Sequence, residues 1–222
     1  QIESDFAGPE RMTRHHPDSL SLMEYSAGNL SEPHALCIRL HLDQCGHCRS
    51  RVDTLNSLGA VMMEQQPDVS VSDTSFEQLL ARIEEVPNAL PAQEQPRQSP
   101  LQKLLGDDMS NLPWKRQLRD VSVVDISDKF PGQSERVILQ KLAAGGKAPA
   151  HTHRGTETTI VLQGAFSDAK GVFNQWDFVV LTDKDVHKPV AIGHEDCITL
   201  SILSAPLKLT GPFGRLLNPF IR

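Results

Sequence analysis

Residues 87–100, PNALPAQEQPRQSP, hold four prolines and three glutamines in fourteen positions. Proline fixes φ and lacks the N–H that helices and sheet ladders need, so this stretch makes neither an ordinary helix nor a central strand. It reads as a linker, and it constrains the fold more than any other feature because the hydrophobic period changes across it. Residues 11–86 carry a helical period, residues 87–104 form the linker, and residues 105–215 carry a strand rhythm. The expectation is therefore a two-domain chain of α + all-β class.

Before the linker the apolar residues fall three and four apart. DSLSLMEYSAGNL aligns Leu20, Met23 and Ala27, with Gly28 placed to end the helix. SEPHALCIRLHL opens with Ser31 as a candidate N-cap and Pro33 in the first turn, and its stripe runs through Ala35, Ile38 and Leu42. CRSRVDTLNSLGAVMMEQQ repeats Val52, Leu55, Leu58 and Met62, while SDTSFEQLLARIEEV carries Phe76, Leu79, Leu80 and Ile83. About four short helices result, with few apolar residues for a core, a shortage that a metal cross-link would relieve. After the linker, VSVVDIS, ERVILQKLAAG, TTIVLQGAF, WDFVVLT, HKPVAIG and CITLSILSA are short, rich in β-branched residues and separated by Gly, Asp, Asn or Pro. That spacing predicts an antiparallel barrel or jelly roll.

Charge divides along the same line. Residues 1–100 contain 7 Arg, no Lys and 15 Asp+Glu, whereas residues 101–222 hold 15 basic and 13 acidic groups. A lysine-free acidic half argues against direct contact with nucleic acid and suits a basic partner such as a DNA-binding protein, although acidic surfaces also serve solubility. The sequence has no apolar run long enough to span a bilayer and no basic-then-apolar segment at its start, so no membrane association is expected. Four cysteines, three of them in one short stretch beside histidines, suit a metal or thiol role in the cytoplasm better than a disulfide framework.

HLDQCGHC, residues 41–48, places His41 and Cys45 four apart on one helix face. Gly46 allows a turn that returns Cys48 to the same point. A tetrahedral ion would still need a fourth ligand, which His16 or His15 could supply from the segment before the first helix. A closed Cys₂His₂ set favours zinc in a structural role. Cys37 also lies one turn from His41 but is better read as a buried small residue, and His47 faces solvent. A redox Cys-x-x-Cys ordinarily follows a strand, and none precedes this one. Oxidation of Cys45 and Cys48 with loss of zinc remains a further way in which a signal could enter.

Downstream, GGKAPAHTHRGTETTIVLQG puts His151 and His153 on one strand face, with Glu157 in the same phase beyond a turn at Gly155. His187 arrives from TDKDVHKPVA. Three imidazoles and a carboxylate inside a small barrel suit zinc, iron, manganese or nickel. Asp183 and Asp185 read as turn residues. Cys197, in the next strand, reads as a buried thiol, with an oxidant-sensitive group as the weaker alternative.

The His-x₃-Cys-x₂-Cys pattern, with a histidine twenty-five residues upstream, resembles the zinc-binding anti-sigma family, and RHHPDSLSLMEYSAGNLSEPHALCIRLHLDQCGHCRSR is similar to ChrR-type members in particular. The resemblance implies His16, His41, Cys45 and Cys48 as zinc ligands and a helical domain that wraps an extracytoplasmic-function sigma factor. Gly146 through Gly164 resembles the first motif of the cupin superfamily. The second motif departs from the family pattern: Trp176 stands where glycine is usual before the aspartate, and the Pro-x-Gly turn is missing, while the ligand His187 is kept. The resemblance implies a cupin-like barrel holding zinc or another divalent metal at His151, His153, Glu157 and His187. It further implies release of the sigma factor on an oxidative signal such as singlet oxygen or organic hydroperoxide. The competing expectation is a metal-dependent cupin enzyme, a dioxygenase or isomerase, with a helical appendage.

Overall fold

The computed structural model describes residues 13–84 and 99–210; the expectations for residues 11–12, 85–98 and 211–215 lie outside them. Four helices precede the proline-rich stretch: α1 (Ser19–Ser26), α2 (Glu32–Gln44), α3 (Gly46–Glu64) and α4 (Asp73–Glu84). Asp18 caps α1 by accepting from the Ser21 N–H at 2.7 Å, and Gly28, at φ 71°, closes it in the left-handed region. Ser31 occupies the N-cap position of α2 and Pro33 its first turn, but the serine hydroxyl makes no capping bond. It donates instead to Glu135 Oε2 at 3.2 Å, across to the strand region. A fifth helix, α5 (Pro100–Leu105), follows the proline-rich stretch with a full capping box between Ser99 and Gln102.

The strands are β1 (Lys115–Arg116), β2 (Val121–Asp125), β3 (Arg136–Leu142), β4 (His151–His153), β5 (Glu157–Gln163), β6 (Ala165–Asp168), β7 (Gly171–Phe173), β8 (Phe178–Leu181), β9 (Val190–Ile192), β10 (Cys197–Leu203) and β11 (Leu207–Leu209). Six of them form an antiparallel sheet in the order β1-β2-β3-β10-β5-β8. It is faced by the three-stranded β7-β6-β9 and the pair β11-β4. A helical region followed by a cupin-like antiparallel jelly roll is the observed class, and every run read as a strand contains one. Gly164 joins β5 to β6 at φ 66°, where a Cβ would lie 2.7 Å from the Asp196 carbonyl oxygen. Only glycine fits that backbone-to-backbone approach.

The large sheet is buried on both faces. Val121, Leu142, Val161 and Cys197 point into the barrel, while Val137, Leu139, Ile160, Leu200 and Ile202 point outward. The outward residues belong to one apolar cluster with Leu22, Cys37, Ile38, Leu42 and Val52 of the helices and Leu101 of α5. The helices thus complete their small core on the barrel wall. This changes which residues face inward. On α1 the buried residue is Leu22, and Leu20 and Met23 are exposed. On α3 only Val52 of the expected stripe is buried; Leu58 and Met62 lie on the surface. The α4 stripe of Phe76, Leu79, Leu80 and Ile83 is entirely exposed. Among the described residues no helix is long and apolar enough to cross a membrane.

Candidate metal centres

The chain turns between α2 and α3 at Cys45, which is C-cap of one helix and N-cap of the next in an extended conformation (φ −117°, ψ 100°). Gly46 is simply the first residue of α3, so its flexibility is not what makes the reversal. The Cys45 Sγ accepts from the Cys48 N–H at 3.5 Å, and both sulfurs lie close to His16 Nδ1, at 3.5 and 3.4 Å. His41 Nε2 stands 3.3 Å from the same His16 nitrogen. The donor atoms of His16, His41, Cys45 and Cys48 all fall within 4.8 Å of one another. His16 is at the exposed edge and the other three are buried. His15 turns away: its Nε2 reaches the Val172 carbonyl at 3.0 Å and its ring lies 4.4 Å from that of Phe173. Cys37 is fully buried, with its thiol pushed up by burial, and His47 is exposed, as expected of both.

The protonation pattern suits a cation. His41 Nδ1 lies 2.7 Å from the Trp176 carbonyl oxygen, which can only accept, so that nitrogen is the N–H and Nε2 keeps its lone pair toward the cluster. Burial, reinforced by Cys45, pushes the Cys48 thiol up to about 12. A divalent ion at the centre of these two sulfurs and two ring nitrogens would displace the thiol protons and favour both thiolates.

The second group is assembled by three separate segments. His151 and His153 lie on β4 with their intervening Thr152 turned outward, and Glu157 opens β5. His187 sits between β8 and β9 rather than within a strand, tied to His151 by a reciprocal pair of backbone hydrogen bonds of 3.0 Å. Their donor atoms also lie within 4.8 Å of one another, and all four residues are buried. His151 Nδ1 donates to the Pro149 carbonyl at 2.8 Å, and His187 Nδ1 meets Asp168 Oδ2 at 3.0 Å. Both Nε2 atoms therefore present lone pairs, yet they stand only 2.8 Å apart, with His153 Nε2 3.3 Å from His187. Facing lone pairs at that distance repel unless a cation or a shared proton lies between them. His153 Nδ1 is 3.1 Å from Glu157 Oε2 but is not aligned for a hydrogen bond and is otherwise unpartnered.

The residues that orient these donors escaped the sequence reading. Asp168 holds His187, and Thr159 donates to Glu157 Oε1 at 2.9 Å while meeting Ser201 at 2.7 Å. Trp176 supplies the carbonyl for His41. Asp168 left a trace as the aspartate of the DAKG turn, and Trp176 stood out as a departure from the cupin pattern, but neither spacing pointed to a donor. Asp183 and Asp185 do serve a turn: the Asp185 carboxylate accepts from the Thr182 N–H at 2.8 Å, and Lys170 beside it holds it down near 2. Cys197 is buried, its thiol raised to about 12 by burial, and it lines the same small interior space as His151, Glu157 and His187. A larger cavity of about 720 Å³, bordered by Gln117, Arg136, Gln140 and Leu203, reaches His151 from the barrel end.

Burial lowers the basicity of His16, His41, His151 and His153, carrying His151 down to about 4. Below pH 6.5 the unfolded chain takes up protons that the folded chain refuses, so stability falls as pH falls. In excess chelator, the melting temperature is expected to drop steadily between pH 6.5 and 4, with His151 alone contributing up to about 1.4 kcal/mol per pH unit. A melting temperature that rises on acidification would contradict this arrangement.

Comparison with known proteins agrees with both halves. Residues 105–205 match the family model described as the ChrR Cupin-like domain. The Anti-sigma-E factor ChrR of Cereibacter sphaeroides is 33% identical over 213 residues, covering 94% of this chain and 98% of that protein. Among solved structures, one from the crystal structure of Rhodobacter sphaeroides SigE in complex with the anti-sigma ChrR superposes with a TM-score of 0.74 at 30% identity, covering 87% of this chain and all of its own. Similarity of this extent through helices, linker and barrel alike places the chain in one family: it belongs to the ChrR family of anti-sigma factors.

Proposed function

We propose that the protein captures an extracytoplasmic-function sigma factor through its helical part and releases it when the cupin-like part receives an oxidative signal, such as singlet oxygen or an organic hydroperoxide. The observation that carries capture is α4. Its four apolar residues, Phe76, Leu79, Leu80 and Ile83, line one helix face and are all exposed, Phe76 at 67%. On α3, Leu58, Val61, Met62 and Met63 are exposed as well. A helix with an apolar face this open is built to be covered. The relative in complex with SigE supports a sigma factor as the cover, and the acidic, lysine-free half suits a partner with basic DNA-binding surfaces. Capture of this kind takes place in the cytoplasm.

In this reading His16, His41, Cys45 and Cys48 bind zinc as a closed structural site, and His151, His153, Glu157 and His187 bind zinc or another divalent ion. The ion in the barrel would draw together three separate segments, and the adjoining cavity that reaches His151 would give a signal molecule a route to it. Kinship with a family of regulators favours this reading over a cupin enzyme with a helical appendage.

Two measurements test it. Mixed with the extracytoplasmic-function sigma factors of its own cell, the chain should form a complex with at least one on size-exclusion chromatography, and oxidant should dissolve that complex. No complex with any of them would end the proposal. Asp168→Asn should weaken metal retention at the barrel site about 10- to 100-fold, because an amide holds His187 less well than a carboxylate, while capture persists. Undiminished retention in chelator titrations would remove Asp168 from this role.

A further inference from the structure

The helical metal centre is gripped from outside its own helices. Asp177, at the β7–β8 turn of the barrel, is completely buried. Its Oδ1 accepts the backbone N–H groups of Arg14 at 2.7 Å and His15 at 3.1 Å, and its Oδ2 accepts that of Asn174 at 2.8 Å. The Phe178 N–H donates back to the His15 carbonyl at 3.0 Å. The residue before it, Trp176, is the single non-glycine with positive φ among the described residues, at 72°. This explains the departure from the cupin pattern: the turn needs the left-handed conformation that glycine adopts readily, and here a tryptophan bears the strain. Strain of this kind persists where surrounding contacts hold it. Here the Trp176 carbonyl accepts from His41 Nδ1, its N–H donates to the Val161 carbonyl at 2.7 Å, and its side chain packs on the cluster shared with the helices.

We infer that the barrel turn 174–178 is the outer shell of the helical metal centre and that Asp177 is a positioning residue for His16. The inference rests on the reading that His16, His41, Cys45 and Cys48 hold an ion. His16 is the weakly held member of that group: it is exposed, it belongs to no helix, and it is twenty-five residues distant from the next donor. On its N-terminal side its backbone is pinned by Asp177 and Phe178, which hold the two residues before it. Trp176 likewise fixes which His41 nitrogen faces the ion. The metal affinity of the helical part is therefore set in part by the barrel, through a turn that a helical fragment alone would lack.

The test uses the full chain with cobalt(II) as the probe, because thiolate-to-cobalt absorption bands arise only at the centre that contains sulfur. Asp177→Ala removes the three acceptor contacts from the barrel side. Arg14→Pro removes one donor N–H from the other side and leaves the barrel untouched, so it remains informative if the first variant folds poorly. Each should release cobalt from the thiolate centre to a competing chelator about 10- to 100-fold more readily, with the ion at the barrel site retained as before. Unchanged thiolate-band titrations in both variants would overturn the inference, as would equal weakening at both centres, which would mark a general loss of stability. Absence of thiolate bands in the unsubstituted chain would instead overturn the metal reading on which it rests.

Discussion

Replacing Cys45 and Cys48 together with serine should remove one metal equivalent per chain, melt much of the helical part and abolish capture of the sigma factor. The size of the effect follows from how little else holds these helices. Apart from α2, which lies on the barrel wall, they bury few large side chains, chiefly Leu22 on α1 and Val52 on α3. Structural zinc contributes on the order of 10–16 kcal/mol of apparent binding energy in small zinc-dependent folds, which is folding energy when the site forms only in the folded state. Hydroxyl groups are poor zinc ligands at neutral pH, so the double substitution forfeits most of that. The α2 helix should survive on its sheet contacts, whereas α1 and α3 should lose order. Metal analysis, far-ultraviolet circular dichroism and size-exclusion chromatography with the sigma factor would read these three consequences. A metal-free double variant that still captured its partner would show that the cluster does not shape the partner surface.

Phe76→Asp should act in the opposite manner, leaving the molecule intact and removing its grip. The Phe76 side chain is largely exposed and supports no core, so the folded chain should keep its melting temperature and both metal equivalents. In a complex the same ring would lie at the centre of a buried apolar face, where a carboxylate must be desolvated without a partner. Aromatic anchors of this kind cost about 2–4 kcal/mol when truncated, so affinity should fall about 30- to 1000-fold by titration calorimetry. Unaltered affinity would place the sigma factor on another surface. Together the two substitutions separate a face that binds from a cluster that shapes it.

Both donor groups are legible in the order of residues because metal ligation imposes short-range patterns. His41 and Cys45 are one helical turn apart, Cys45 and Cys48 bracket a helix start, and His151 and His153 share a strand face. The ambiguity between His15 and His16 is a matter of which way an irregular segment turns, and the barrel decides it by binding His15 at Val172 and Phe173. The differences in burial have a common origin. A helical period locates a candidate face, but in a helix as short as α1 one residue of rotation exchanges Leu20 and Met23 for Leu22. On α4 the stripe is real, yet it faces solvent in this chain, since period alone does not say what covers a face.

The sequence by itself determined the class of each half and singled out the residues that come together at the two candidate centres. These depend on local spacing along the chain, which is written directly in the order of residues. Only the tertiary structure decided that the helices rest on the barrel and that Trp176 and Asp177, more than one hundred residues away in the chain, hold the His41 ring and the backbone of Arg14 and His15. The run CITLSIL in β10 carries a hint, because all seven residues are buried and neither face of the strand meets water. A strand can record that both its faces are covered, but the identity of the cover depends on long-range packing that no local pattern encodes.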